Sequence, residues 1–265
     1  MKKSLIMYHN NNRYYDIFNS EGLLGKMKHV ENVIRTAVAI ATFQHANVDI
    51  ELLKVLAEHH DDGRVDQYRI LHKFWDSEVT HNSLGVDRLD RFINSNDGLE
   101  IDDEIQLLRN AMLYHGRLKL AYGLSELSTK YIELLTAADD FENATSCVSY
   151  LVREVENDEK GYNANLGYNQ RELSPENAIY ILDCFRSGEK FDKMKVCRTY
   201  ADYIAFAGTL ATSCIKKYGD IAKVALLQPG YGFNTIMEGF KYTFEETLDH
   251  VLAAELYRIL CEMIK

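Results

Sequence analysis

Six side chains among the first 139 residues of this 265-residue chain can do metal chemistry together: His29, His60, Asp61, His81, His115 and Asp139. The densest stretch is Ala57-Glu58-His59-His60-Asp61-Asp62-Gly63-Arg64. There His60 and Asp61 set an imidazole nitrogen beside a carboxylate oxygen, both ligands for a divalent transition metal. An isolated His-Asp pair occurs by chance in many proteins, and what gives this one weight is its company. A divalent ion takes about four to six donors from several directions, more than one helix can supply. Helices of a bundle can supply them if each projects one donor inward. Three or four of these donors would complete one site. All six, with one carboxylate shared, would serve two metals about 3.5–4 Å apart.

The elements that must position them read as helices. Val30, Val33, Ile34, Ala37, Val38 and Ala41 fall on one face of a helix over 27–44, with His29 in its first turn. Asp49 is an N-cap for a second helix that buries Leu52, Leu53, Val55 and Leu56. His60 and Asp61 stand at its end, and Gly63 reads as its terminator. A short helix is expected over 82–93 through Leu84, Val86, Leu89 and Phe92, followed by the loop Asn94-Ser95-Asn96-Asp97-Gly98. Asp102 and Asp103 open a helix carrying Ile105, Leu107, Leu108 and Met112, with His115 near its end. Residues 129–145 carry Ile132, Leu135, Ala138, Phe141 and Glu142 around Asp139. Asp140 is the rival ligand at that place.

Beyond about 155 the pattern weakens into a polar connector that includes Glu156-Asn157-Asp158-Glu159. Ser174-Pro175-Glu176 starts a helix that Gly188 ends. A long helix is expected from about 193 to 218, closed by Gly219. Gln228-Pro229-Gly230-Tyr231-Gly232-Phe233 reads as a turn, since it lacks the Lys-Ser/Thr of a phosphate loop. The capping box Thr243-x-x-Glu246 begins a last helix. The expectation is an all-α chain with a metal-binding helical core over 20–155 and C-terminal helices over 156–265, packed as one unit.

Composition narrows the function. The apolar fraction is 46% and only two prolines occur, as a helical globular chain requires. A net charge of -10 argues against binding a nucleic-acid polymer, which needs basic surface. A small anionic substrate stays compatible, because a metal's local charge outweighs the global field. The apolar run at Leu5-Ile6-Met7 is too short for a signal peptide, and no stretch is long enough to span a bilayer. Five scattered cysteines, without Cys-x-x-Cys spacing, read as buried thiols of a cytoplasmic protein. Self-association is left open. His9, His45, His72 and His250 read as ordinary core or surface residues, and His59 as either a helix-face residue or a partner of a ligand. Arg64, Lys73, Arg88 and Arg117 are candidates for binding phosphate or simply solvated charges.

On these residues the chain resembles the HD superfamily of metal-dependent enzymes, whose pattern H…HD…D extends to H…HD…H…H…D where two metals bind. The match rests on Lys28-His29-Val30-x-x-Val33, His60-Asp61, Ala138-Asp139-Asp140-Phe141, His81-Asn82-Ser83-Leu84-Gly85 and Leu113-Tyr114-His115-Gly116-Arg117, and covers about residues 25–145. The resemblance implies an HD-type helical bundle. It implies a first metal on His29, His60, Asp61 and Asp139, and a second on His81 and His115 with Asp61 bridging. The metal itself (Fe, Mn, Co, Ni, Mg or Zn) is not specified. Arg64 stands where the family often has lysine, so oxyanion binding replaces proton transfer as its expected role. The Gly-Tyr-Pro signature of the cyclic-di-nucleotide phosphodiesterases is absent after His115. The implied activity is a phosphohydrolase or phosphodiesterase acting on a small phosphorylated substrate, nucleotides included. Asp61 and Arg64 would be its catalytic residues, and Arg64 and Arg117 its phosphate contacts. A di-iron oxygenase and a non-catalytic metal-containing sensor are the alternatives.

Overall fold

The computed structural model describes residues 1–20, 23–71, 80–116, 123–156, 175–190, 200–220, 222, 254–256, 258, 259, 261 and 262. Among the described residues the protein is all-α, with no strand. The chain divides into two compact units, Met1–Asp139 and Asp140–Lys265.

The first unit holds α1 (Lys3–Asn11), α2 (Tyr14–Ser20), α3 (Leu24–Phe43), α4 (Ile50–His59), α5 (Gly63–Leu71), α6 (His81–Ser95), α7 (Asp103–Tyr114) and the start of α8 (Glu126–Glu156). Helix α3 packs on α4, α5 on α6, α6 on α7 and α4 on α7. The core positions expected from periodicity are largely buried: Val30, Val33 and Ala37 on α3, Leu52, Leu53, Val55 and Leu56 on α4, Ile105, Leu107, Leu108 and Met112 on α7. Asp49 caps α4 by accepting from the Glu51 and Leu52 amides, and Asp102 caps α7 through the Glu104 and Ile105 amides.

The structure differs from the sequence expectation in three places. The N-terminal segment is helical: α1 buries Leu5 and Tyr8, and α2 buries Phe18 against Leu23, Val30 and Val65. No side chain caps the N-terminus of α1, so its start left no sequence signal. Its asparagines close the helix rather than cutting it short: Asn11 and Asn12 donate side-chain N–H bonds to the Met7 and Tyr8 carbonyls.

The second difference is Gly63, which opens α5 instead of closing α4. A Cβ there would lie 1.9 Å from the His81 carbonyl oxygen and 2.4 Å from the Gly85 nitrogen. The glycine is needed for backbone contact between α5 and α6, not for a left-handed turn. That contact presses the start of α6, and so His81, toward the turn that carries His60 and Asp61. The third difference is length: α8 runs on to Glu156.

The second unit contains the rest of α8, α9 (Pro175–Ser187) and α10 (Tyr200–Tyr218). Pro175 opens α9 as expected, and Gly188 and Gly219 follow the two helix ends with φ of 64° and 55°. Helix α9 packs on α10 through a core that includes Ile181, Phe185, Ala207, Leu210 and Ala211. Cys184 and Cys214 are buried free thiols, whereas Cys261 is partly exposed. The polar connector from 157, the beginning expected for the long helix at 193, the turn at 228–233 and the capping box at Thr243 lie outside the described residues, as do Lys73 and Arg117. Among the described residues no helix is long and apolar enough to cross a membrane.

Candidate metal centre

Five elements deliver the six donors. His29 sits in the second turn of α3 and His60 at the C-terminal cap of α4. Asp61 follows in the short link to α5, His81 begins α6, His115 caps the end of α7, and Asp139 lies within α8. All six are buried. Gly116 helps join the last two: it leaves α7 with φ of 71°, and its N–H donates to Thr136 Oγ1 on α8 at 3.3 Å.

Asp61 divides the cluster. Its Oδ2 faces His29 Nε2 at 3.6 Å and His60 Nε2 at 3.8 Å. Its Oδ1 faces His81 Nε2 at 3.4 Å and His115 Nε2 at 3.6 Å. Asp139 Oδ1 closes the first group, 3.2 Å from His29 Nε2 and 3.9 Å from His60 Nε2. In the second group His81 Nε2 and His115 Nε2 lie 3.1 Å apart. Metal–nitrogen and metal–oxygen bonds of about 2.0–2.2 Å put donors on one ion roughly 3–3.5 Å apart, so these spacings suit a cation in each group. His29, His60 and Asp61 form one donor set that can hold a metal, and Asp61, His81 and His115 form another.

The imidazoles are preset for this. His60 Nδ1 is 2.7 Å from the Ala57 carbonyl, and His115 Nδ1 is 3.1 Å from the Ala111 carbonyl. Each Nδ1 therefore carries the proton and donates, leaving the Nε2 lone pair aimed inward. Asn82 Nδ2 donates to the Met112 carbonyl at 2.8 Å and so pins α6 to α7 beside His115. His29 Nε2 and His60 Nε2 are buried yet make no hydrogen bond, an unfavourable state unless a cation uses them.

Protonation points the same way. Burial lowers His29 and brings His60 down to about 4, so both are neutral at pH 7. Burial alone would raise Asp61 and Asp139. Lys26, His60 and Arg64 overcome it at Asp61, and the adjacent His29 ring, with His60 and His115, overcomes it at Asp139. Both carboxyls are held well below the ordinary carboxylate value. His115 is the exception: burial opposes a charge there, but the neighbouring Asp61 and Asp139 carboxylates leave it raised, so a cation competes with a proton at its Nε2.

Two other expected residues find different surroundings. Arg64 is buried, with Nε 3.5 Å from Asp61 Oδ1 and Nη1 donating to Gln67 Oε1 at 2.8 Å. It braces the shared carboxylate. Asp140, the rival to Asp139, pairs instead with Lys190 at 2.7 Å.

Sequence reasoning missed Lys26. Its Nζ lies 2.7 Å from Asp61 Oδ2, and its side chain is 20% exposed. One turn ahead of His29, it shares that residue's helix face, and the i,i+3 spacing was the available signal. His9 was also missed as a participant. Its Nδ1 lies 3.1 Å from His59 Nε2, and His59 Nδ1 lies 2.9 Å from Asp62 Oδ2. Burial, with His59 and Arg13 beside it, lowers His9 to about 4. No protein-family model, curated protein or solved structure matches the chain.

Proposed function

We propose that this protein is a metal-dependent phosphohydrolase or phosphodiesterase of the HD type, acting on a small phosphorylated substrate such as a nucleotide. The observation that carries the reading is the split of the Asp61 carboxylate between two donor groups, the arrangement a bridging ligand needs. His29, His60, Asp61 and Asp139 would hold one ion, and His81, His115 and Asp61 a second. Bound there, a divalent cation supplies Lewis acidity and a water acidic enough to be a nucleophile near neutral pH.

The chain's own groups complete the chemistry. The carbonyls of Ala57 and Ala111 hold the His60 and His115 rings in the ligating tautomer. Arg64 keeps Asp61 ionised and oriented. Lys26 reaches Asp61 from the partly exposed edge of the cluster. With Asp61 engaged by a metal, the Lys26 ammonium would be released from that carboxylate and available to hold a phosphoryl oxygen.

The same bridging carboxylate favours one rival, a di-iron oxygenase. The experiment is an activity screen of the purified protein with Mn2+, Co2+, Mg2+ or Fe2+ against nucleotides and generic phosphate mono- and diesters. Phosphate release that needs the metal and disappears in Asp61→Asn supports the hydrolase. Oxygen consumption by the iron-loaded protein, without phosphate release, would replace it with the oxygenase. Tight metal binding without either turnover would leave a sensor.

A further inference from the structure

We propose a second, independent cation site on the first unit, built from His9 Nδ1, Glu58 Oε2 and His59 Nε2 and suited to zinc or another borderline divalent ion. These three donors can hold a metal and lie within 4.8 Å of one another. His9 comes from α1, while Glu58 and His59 end α4. None of them belongs to the donor groups around Asp61.

Two imidazoles form the heart of the site. His9 Nδ1 and His59 Nε2 lie 3.1 Å apart, the same separation as His81 Nε2 and His115 Nε2 in the larger cluster. Glu58 Oε2 stands 3.7 Å from His9 Nδ1. His59 and Glu58 are buried, and the His9 side chain is 13% exposed, so a cation here would be largely shielded from water.

The support behind His59 is of the kind that metal-bound histidines have. His59 Nδ1 donates to Asp62 Oδ2 at 2.9 Å, and the buried Tyr8 hydroxyl donates to the same oxygen at 2.7 Å. A carboxylate behind a histidine fixes the tautomer with its outer lone pair toward the ligand and raises its basicity. Two histidines and one glutamate make a donor set used by zinc with a further position left for water.

Arg13 guards the outer side. It is half exposed, with Nη1 2.7 Å from His9 Nε2 and Nε 3.1 Å from Glu58 Oε1. Donating to Nε2, it places the His9 proton on Nδ1, between the two rings. With a cation on Nδ1, the His9 proton would move to Nε2 by exchange through solvent, and Arg13, which can no longer donate to that nitrogen, would swing away from the ring. Arg13 thus competes with the ion and sets its affinity.

The test counts Zn2+ bound per chain by equilibrium dialysis, for the parent, His9→Ala, His9→Gln, Arg13→Ala and Asp139→Asn. The expected result is loss of one zinc equivalent in either His9 variant, and about tenfold tighter binding of that same equivalent in Arg13→Ala, as removal of an adjacent charge implies. The Gln variant keeps a polar side chain on α1 and covers the case in which Ala does not fold. Asp139→Asn retains the His9 equivalent. Equal zinc counts in the parent and both His9 variants would overturn this site alone, even with zinc lost in Asp139→Asn. A parent that binds no zinc overturns it as well. The metal dependence of the activity screen then decides the larger centre separately.

Discussion

Around α3, α4, α6 and α7 the first unit buries His29, His60, Asp61, His81 and His115 side by side. The described interior of the second unit, on α9 and α10, is built from Ile181, Phe185, Ala207, Leu210, Ala211 and Ile215. Its buried hydroxyls at Thr209 and Thr212 donate to carbonyls one turn back, and its Asp140 closes on Lys190. There, these three groups are satisfied within the unit, and the buried carboxylates, Glu142 and Asp202, have no histidine cluster around them among the described residues. In the first unit two imidazole nitrogens have no well-formed hydrogen bond, and Asp61 and Asp139 are buried against them, with Glu58 and Asp62 also in the interior. Apolar replacements of similar volume often match or exceed the stability of buried charges. A cluster of this kind is therefore explained by what it binds, and the second unit's core by packing.

The sharpest way to break this contrast is Asp61→Asn. Partners of metal ligands alone are worth about 10–100-fold in affinity or activity, so loss of the shared ligand should cost at least about 100-fold in both. Dialysis and turnover measure it, and the metal-free variant should still fold. Next comes Gly63→Ala, which has no room against the His81 carbonyl. It should destabilise by about 3 kcal/mol in denaturant unfolding and weaken binding through His81. On the other side, Lys190→Ala removes the ammonium that faces Asp140, whose side chain is only 13% exposed. It should lower stability by about 2 kcal/mol and leave the metal count unchanged.

The smallest effect is on pH. His9 and His60, each near 4, and His29, also lowered, resist protonation when folded, while their ordinary value is 6.5. Between about 6.5 and 4 the unfolded chain then binds more protons, so stability falls as pH falls. His115, raised, works in the opposite sense and is outnumbered. The metal-free protein should melt several degrees lower at pH 5 than at pH 7. A flat or rising melting temperature would show that the buried imidazoles are already partnered.

The same contrast explains what could be read in advance. Caps and periodicity act over one or two turns, so Asp49, Asp102, Pro175 and the apolar faces of α3, α4 and α7 were legible. The six donors were legible as residue types with helix-scale spacing, and the structure brings them together. Contacts over long sequence distances were not legible. Gly63 reads locally as a terminator because its reason, the His81 backbone, is 18 positions away. His9 read as ordinary because its partner is His59, and α1 carries no cap to announce it. The Arg64 contacts with Asp61 and Gln67 lie three positions to either side, so they were legible locally, and they leave its expected phosphate role a matter for the activity screen.

Electron paramagnetic resonance of the Mn2+-loaded protein tests the bridging role of Asp61 most directly. The account predicts a pair of exchange-coupled ions in the parent and loss of the coupling in Asp61→Asn. Uncoupled Mn2+ in the parent, or coupling indifferent to that substitution, would contradict it.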